Sequence, residues 1–166
     1  MTTRTLIRLS KALLSLTVGL LASLIVFNNL TDYWTNYHFV AHVMSMDTVF
    51  PESKTRRRAV NSKRLYHLSY ALIIAVEGAI TWLCSAGGLA MLRALRADGK
   101  TFHESKRLTI AGLLAALMLW FTAFQGIAAE WFGMWMSQQW NGLAGASRLT
   151  QIVSTVLVFV AMKNDE

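Results

Sequence analysis

The sequence predicts an all-α protein: a bundle of four transmembrane helices carrying an amphipathic cap on one side. Two compositional features and one pattern lead there. Of 166 residues, 54% are hydrophobic and only 15% are charged, against about 25% charged in a soluble domain. Too little polar surface remains to cover a water-soluble fold. One proline and one cysteine exclude a collagen-like chain and a disulfide scaffold. The pattern is a set of four apolar runs, each close to the roughly 20 residues that a helix needs to cross a hydrocarbon core about 30 Å thick.

The runs fall at about 12–30, 68–92, 108–129 and 143–162, so residues 1–166 read as a single integral membrane domain. The first, ALLSLTVGLLASLIVF, follows Arg4, Arg8 and Lys11. That layout also suits a signal peptide, but Phe27-Asn28-Asn29-Leu30 follows where a small-x-small cleavage site would stand. An uncleaved anchor is therefore expected. The second run carries one charge, Glu77, and the fourth carries one, Arg148. Apolar residues surround all four helices, as lipid requires. Between the second and third runs, Ala97-Asp98-Gly99-Lys100 signals a turn, and Thr101-Phe102-His103-Glu104 fits a capping box at the next helix start. Gly112-x-x-x-Ala116 is a small-x-x-x-small step suited to close helix packing within the chain. Cys84 reads as a small buried hydrophobe.

Four crossings put both termini and the second loop on one side. That side carries nine Lys and Arg (Arg4, Arg8, Lys11, Arg93, Arg96, Lys100, Lys106, Arg107, Lys163), against six in the first loop and none in the third. The positive-inside rule then places both termini in the cytoplasm. The net charge of +7 belongs to the membrane surface, where basic flanks meet lipid phosphates. No nucleic-acid motif surrounds these residues, so the bilayer is the expected partner. The Arg56-Arg57-Arg58 run reads as a solvated, lipid-contacting rim.

The first and third loops share the opposite face. TDYWTNYHFVAHVMSMDTVFP and EWFGMWMSQQWNG are aromatic and Met-rich, which suits an interfacial position. They are expected to pack together, with part of 33–49 helical. The stretch NNLTDYWTNYHFVAHVMSMDTVFP, the Glu77-Gly78 pair, the Phe102…Lys106 spacing and EWFGMWMSQQWNG resemble a bacterial family of predicted small integral membrane proteins, a domain of unknown function. His42-Val43-Met44-Ser45-Met46-Asp47 and the segment from Trp131-Phe132-x-Met134-Trp135 to Trp140-Asn141-Gly142 are its most specific parts. The resemblance covers nearly the whole chain. It implies an inner-membrane protein with the odd-numbered loops in the periplasm, and it brings no activity, cofactor or partner.

Two constellations could carry chemistry. On the cap face, His38 and His42 are spaced to share a helix side, with Met44, Met46 and Asp47 following. Met134, Met136 and His67 are expected at the same level. Imidazole and thioether groups suit copper or zinc; the same residues beside Trp and Tyr also serve as interfacial packing. Asp47, Trp131, Trp135, Trp140 and Asn141 are candidate ligand- or partner-binding groups there. In the bilayer, Glu77 stands roughly 13 Å and Arg148 roughly 8 Å from the outer end of their helices. Gln125, Asn28 and Asn29 are expected nearby. Intramembrane charges are rare, face inward and usually pair. An ion pair fixing helix register and a polar cavity for an ion, proton or small ligand are both compatible with that placement.

No Gly-rich phosphate loop, nucleophile elbow or zinc-protease motif occurs. The reading that results is a non-enzymatic membrane protein whose periplasmic face binds a ligand or partner, including an accessory subunit of a larger membrane complex. The alternative is a small transporter or channel, a homo-oligomer using a Glu77/Arg148 polar cavity. A third class is a haem- or copper-binding redox protein.

Overall fold

The computed structural model describes residues 2–163. Four helices long and apolar enough to cross a membrane pack against one another. The first, α1, spans Thr3–Thr31, and Thr2 Oγ1 caps it by accepting from Thr5 N at 3.2 Å. It begins well before the apolar run, so Arg8 and Lys11 lie on its first turns rather than in a tail. Asp32 breaks the helix (φ −124°, ψ 61°) while its N–H still bonds Asn28 O. The chain then restarts as α2, Tyr33–Ser45. Its buried residues Tyr37, Val40 and Val43 recur at helical spacing and face the bundle, so α2 lies over the bundle end. The expected helix within 33–49 is present.

Helix α3, Lys63–Arg93, is 31 residues long. The third crossing is composite. A short α4, Gly99–Ser105, leads through Lys106 into α5, Arg107–Leu117. Met118–Trp131 then continues in π-helical winding, ending with Phe132 N bonded five residues back to Ile127 O at 3.0 Å. The last helix, α6, spans Leu143–Ala161, 19 residues, or about 28 Å at 1.5 Å per residue, just enough for the hydrocarbon.

The capping box expected at Thr101 is corrected. The helix starts earlier, and Asp98 is its cap: Oδ1 accepts from Thr101 N at 3.0 Å and Oδ2 from Thr101 Oγ1 at 2.6 Å. Asp98 is the better acceptor because its carboxylate reaches two donors one turn ahead and carries negative charge toward a helix N-terminus.

The centre of the bundle is filled by Val18, Ala22, Ile80, Cys84, Leu113, Ala116, Val153 and Val156. Small residues let the backbones approach. A Cβ at Gly112 would sit 2.7 Å from Cys84 Sγ, so this glycine step is used inside the chain. Ser15 Oγ donates to Cys84 O at 2.7 Å and lies 2.8 Å from Thr109 Oγ1, tying α1, α3 and α5 at a dry point. Large apolar side chains point outward instead: Leu24, Leu72, Trp82, Phe121 and Val158 are all exposed, an arrangement that suits lipid and not water.

The start of α1, the end of α6 and the second loop meet at one end of the bundle. Three of the basic residues read as lipid-facing are buried there. Arg8 donates to Leu95 O (3.0 Å) and Ala97 O (2.6 Å), and Lys11 and Lys106 donate to Met162 O at 2.6 and 3.1 Å. Arg8 and Lys106 also lie over the ring of buried Phe102. Met162 O lies just past the end of α6, at the negative pole of the helix, where the Lys11 and Lys106 ammonium groups are favoured. The Phe102…Lys106 spacing thus has a packing role.

Candidate functional site

At the opposite end, α2 covers a cavity of about 330 Å³. Glu77, two turns along α3 from Tyr70, lines it and is only 3% exposed. Asn29 Nδ2 donates to Glu77 Oε2 at 2.6 Å, and Asn36 Nδ2 donates to Asn29 Oδ1 at 2.8 Å. Tyr70 Oη donates to Asn29 O at 3.1 Å. A hydrogen-bonded line therefore runs from α2 through α1 to the carboxylate on α3. The break at Asp32 makes this possible. Residues 29 and 36 would stand about 10 Å apart along a continuous helix; the bend brings their amides into contact. Phe39, Trp120 and Phe124 supply aromatic walls, and Gly142, Gly145 and Ala146 leave the space. A Cβ at Gly145 would meet nothing within 4 Å.

The expected Glu77–Arg148 pair does not form. Arg148 is exposed on α6 and is not among the cavity residues. Matching depth along two helices does not match their faces, and a long cationic side chain gains more by reaching an interface than by entering a dry bundle. Gln125 is also elsewhere. It donates to Thr150 Oγ1 at 2.6 Å and accepts from Ser147 Oγ at 3.1 Å, joining the π-helical segment to α6. Asn28 and Asn29 do lie at the cavity. Asn36 and Tyr70 were missed. Tyr70 carried a signal, since seven residues before Glu77 is the same face of a helix; Asn36 carried none until the bend was known.

The first and third loops touch. His42 stacks on Trp140 (centroids 4.5 Å apart, 11° between planes) and Phe50 meets Trp135 edge-on at 6.2 Å. Thr48 Oγ1 donates to Ser137 Oγ at 2.8 Å. Trp131 is exposed, with the Arg58 guanidinium 4.7 Å above its ring and Arg58 Nη1 donating to its carbonyl. One member of the arginine run is therefore engaged with the third loop, while Arg56 and Arg57 are exposed. Asn141 donates to Trp135 O at 3.3 Å and accepts from Leu143 N at 3.1 Å, which shapes the start of α6.

The four residues considered as metal ligands go to different places. His38 lies against Trp34 and Tyr37, with its ring 6.4 Å from that of His42. His42 Nδ1 donates to Asp47 Oδ2 at 2.6 Å. Met44 packs in the cluster around Tyr37 and Tyr66, and Met46 is buried at the end of α2 near Gly133. Among the described residues no group of three His, Cys, Asp or Glu could hold a metal ion. Helix α2 ends at Ser45, and Met46 follows in a left-handed conformation (φ 53°). His67 lies in an aromatic cluster, 2.8 Å from Tyr33 Oη and stacked on Tyr37 at 4.3 Å.

No curated protein and no solved structure matches the chain. The family described as "Predicted small integral membrane protein (DUF2165)" matches residues 7–163. With that match over nearly its whole length and four helices fit to cross a bilayer, the chain belongs to this family of small integral membrane proteins.

Proposed function

We propose that the protein is a non-catalytic ligand-binding membrane protein, and that its site is the Glu77 cavity under α2. The observation that carries this reading is a buried carboxyl group, hydrogen-bonded to Asn29, lining a roomy and mostly apolar space inside the bundle. Cavities of roughly 300–1,000 Å³ suit small ligands, and an ionisable residue within a membrane segment is a functional candidate by default. The cavity offers one carboxylate, carboxamides, a phenol and aromatic walls, a recognition surface rather than a nucleophile–base pair. By the distribution of Lys and Arg, the α2 end faces the periplasm, and α2 together with the third loop forms the cap over it. Below Glu77 the interior is filled by Ile80, Leu113 and Ala116, which favours binding over conduction.

The test is a thermal-shift screen of the detergent-purified protein with cationic, neutral and anionic small molecules. Gly145→Leu serves as the cavity-filling control, because a side chain there enters open space. At least one ligand class should stabilise the wild type and lose its effect on Gly145→Leu. If no compound shifts the transition, or if both proteins shift alike, the cavity is not the site.

A further inference from the structure

We infer that the Glu77 cavity takes a small organic ammonium ion, a protonated or quaternary amine. The inference rests on the reading of the cavity as a ligand site and names the ligand's chemistry. Charge comes first. The lining contains Glu77 and, among the described residues, no Lys, Arg or His. Asn29 is a neutral donor to the carboxyl group, so Glu77 in its ionised form has no counter-charge among the cavity residues. A buried charge stripped of a partner is costly, and a cationic ligand supplies that partner.

The walls then choose among cations. Tyr70, Phe39, Trp120 and Phe124 line the same space as Glu77, and aromatic rings attract ammonium groups through their quadrupoles, most strongly when water is excluded. A metal cation is poorly served. Asn29 Oδ1 already accepts from Asn36, and the Asn29 carbonyl from Tyr70, so each has one lone pair committed. A hard cation such as calcium asks for six to eight oxygens, as a rule. An anion would meet the Glu77 carboxylate with no basic side chain to offset it. Size sets the last bound: a cavity of about 330 Å³ lies at the small end of the range for ligand pockets, roughly 300–1,000 Å³.

Isothermal titration in detergent tests this with choline and tetramethylammonium, against 3,3-dimethyl-1-butanol as the uncharged isostere of choline. The wild type should bind choline at least about tenfold more tightly than the isostere, a difference of about 1.4 kcal/mol. Glu77→Gln keeps an acceptor for Asn29 while removing the charge, and should bring that ratio to within about threefold. Absence of binding of both choline and tetramethylammonium by the wild type overturns the ammonium assignment, and equal binding of choline and the isostere overturns it while leaving the cavity as a ligand site. So does a preference that persists in Glu77→Gln. The wild-type comparison needs no variant, so it decides even where Glu77→Gln does not fold. Binding that is undiminished in Gly145→Leu overturns the cavity reading and the inference together.

Discussion

Replacing Asn29 by leucine removes the central link between three helices while nearly preserving side-chain shape. Two side-chain hydrogen bonds are lost: the 2.6 Å donation to Glu77 and the 2.8 Å bond from Asn36. The bond from Tyr70 goes to the Asn29 backbone carbonyl and survives. A hydrogen bond to a charged group contributes about 1.5–3 kcal/mol, and a neutral one between membrane helices about 0.6 kcal/mol. The expected loss is therefore about 2–4 kcal/mol, most of it from leaving the buried Glu77 carboxyl group without its donor. For a chain of this size that corresponds to a melting temperature lower by about 4–14 °C. Thermal unfolding in detergent, followed by circular dichroism, would measure it. Glu77→Leu alone should cost less, since it removes the charge as well as the bond. The double variant should then be no worse than Asn29→Leu, giving a coupling energy well above the roughly 0.5 kcal/mol scatter of independent sites. If the two single effects simply add, Asn29 does not hold Glu77 and the hydrogen-bonded line is not a unit. Arg148→Gln is the contrast: an exposed residue outside the cavity should change stability by no more than about 0.5 kcal/mol.

Reporter fusions should place the C-terminus in the cytoplasm and the third loop outside; a periplasmic C-terminus would reverse the orientation and put the Glu77 cavity on the inner side. Gly112→Leu should destabilise by at least about 1–3 kcal/mol through overpacking, because a Cβ there already lies 2.7 Å from Cys84 Sγ, whereas Gly145→Ala should leave the melting temperature unchanged or slightly raised. The hydrogen bonds from Thr101 hold the Asp98 carboxyl below its ordinary range. A group depressed on folding stabilises above its unfolded value and loses that contribution as pH falls through the folded one. Asp98→Ala should therefore flatten the acid limb of the stability–pH curve, and an unchanged limb would show that the cap is not held in solution.

Local chemistry made the four crossings legible. A run of about 20 apolar residues has few stable arrangements other than a spanning helix, because lipid offers no partner to a free N–H or C=O. An even number of crossings then groups the helix ends, so the meeting of the start of α1 and the end of α6 with the second loop, and of the first loop with the third, followed from order along the chain. Aromatic density in TDYWTNYHFVAHVMSMDTVFP and EWFGMWMSQQWNG marked segments that touch through His42–Trp140 and Phe50–Trp135. Glu77 stood out because an intramembrane carboxylate is rare.

Its partner was a tertiary matter. Counting residues from a membrane edge gives depth, and depth alone matched Glu77 with Arg148 and Gln125. Which way a side chain faces depends on how each helix is rotated about its axis, and packing contacts such as Gly112 against Cys84 set that rotation. The π-helical winding after Leu117 shifts the phase of Gln125, which ends on Thr150 and Ser147. The break at Asp32 folds α2 back so that Asn36 reaches Asn29. At the other end, flank position made Arg8, Lys11 and Lys106 look like lipid contacts, yet all three are buried, Arg8 and Lys106 over Phe102 and both lysines on Met162 O. Sequence determined which segments cross and which ends meet, since those follow from local solvation of the backbone. Only the assembled bundle decided who faces whom, since helix rotation and chain bends are settled by contacts between residues far apart in the chain.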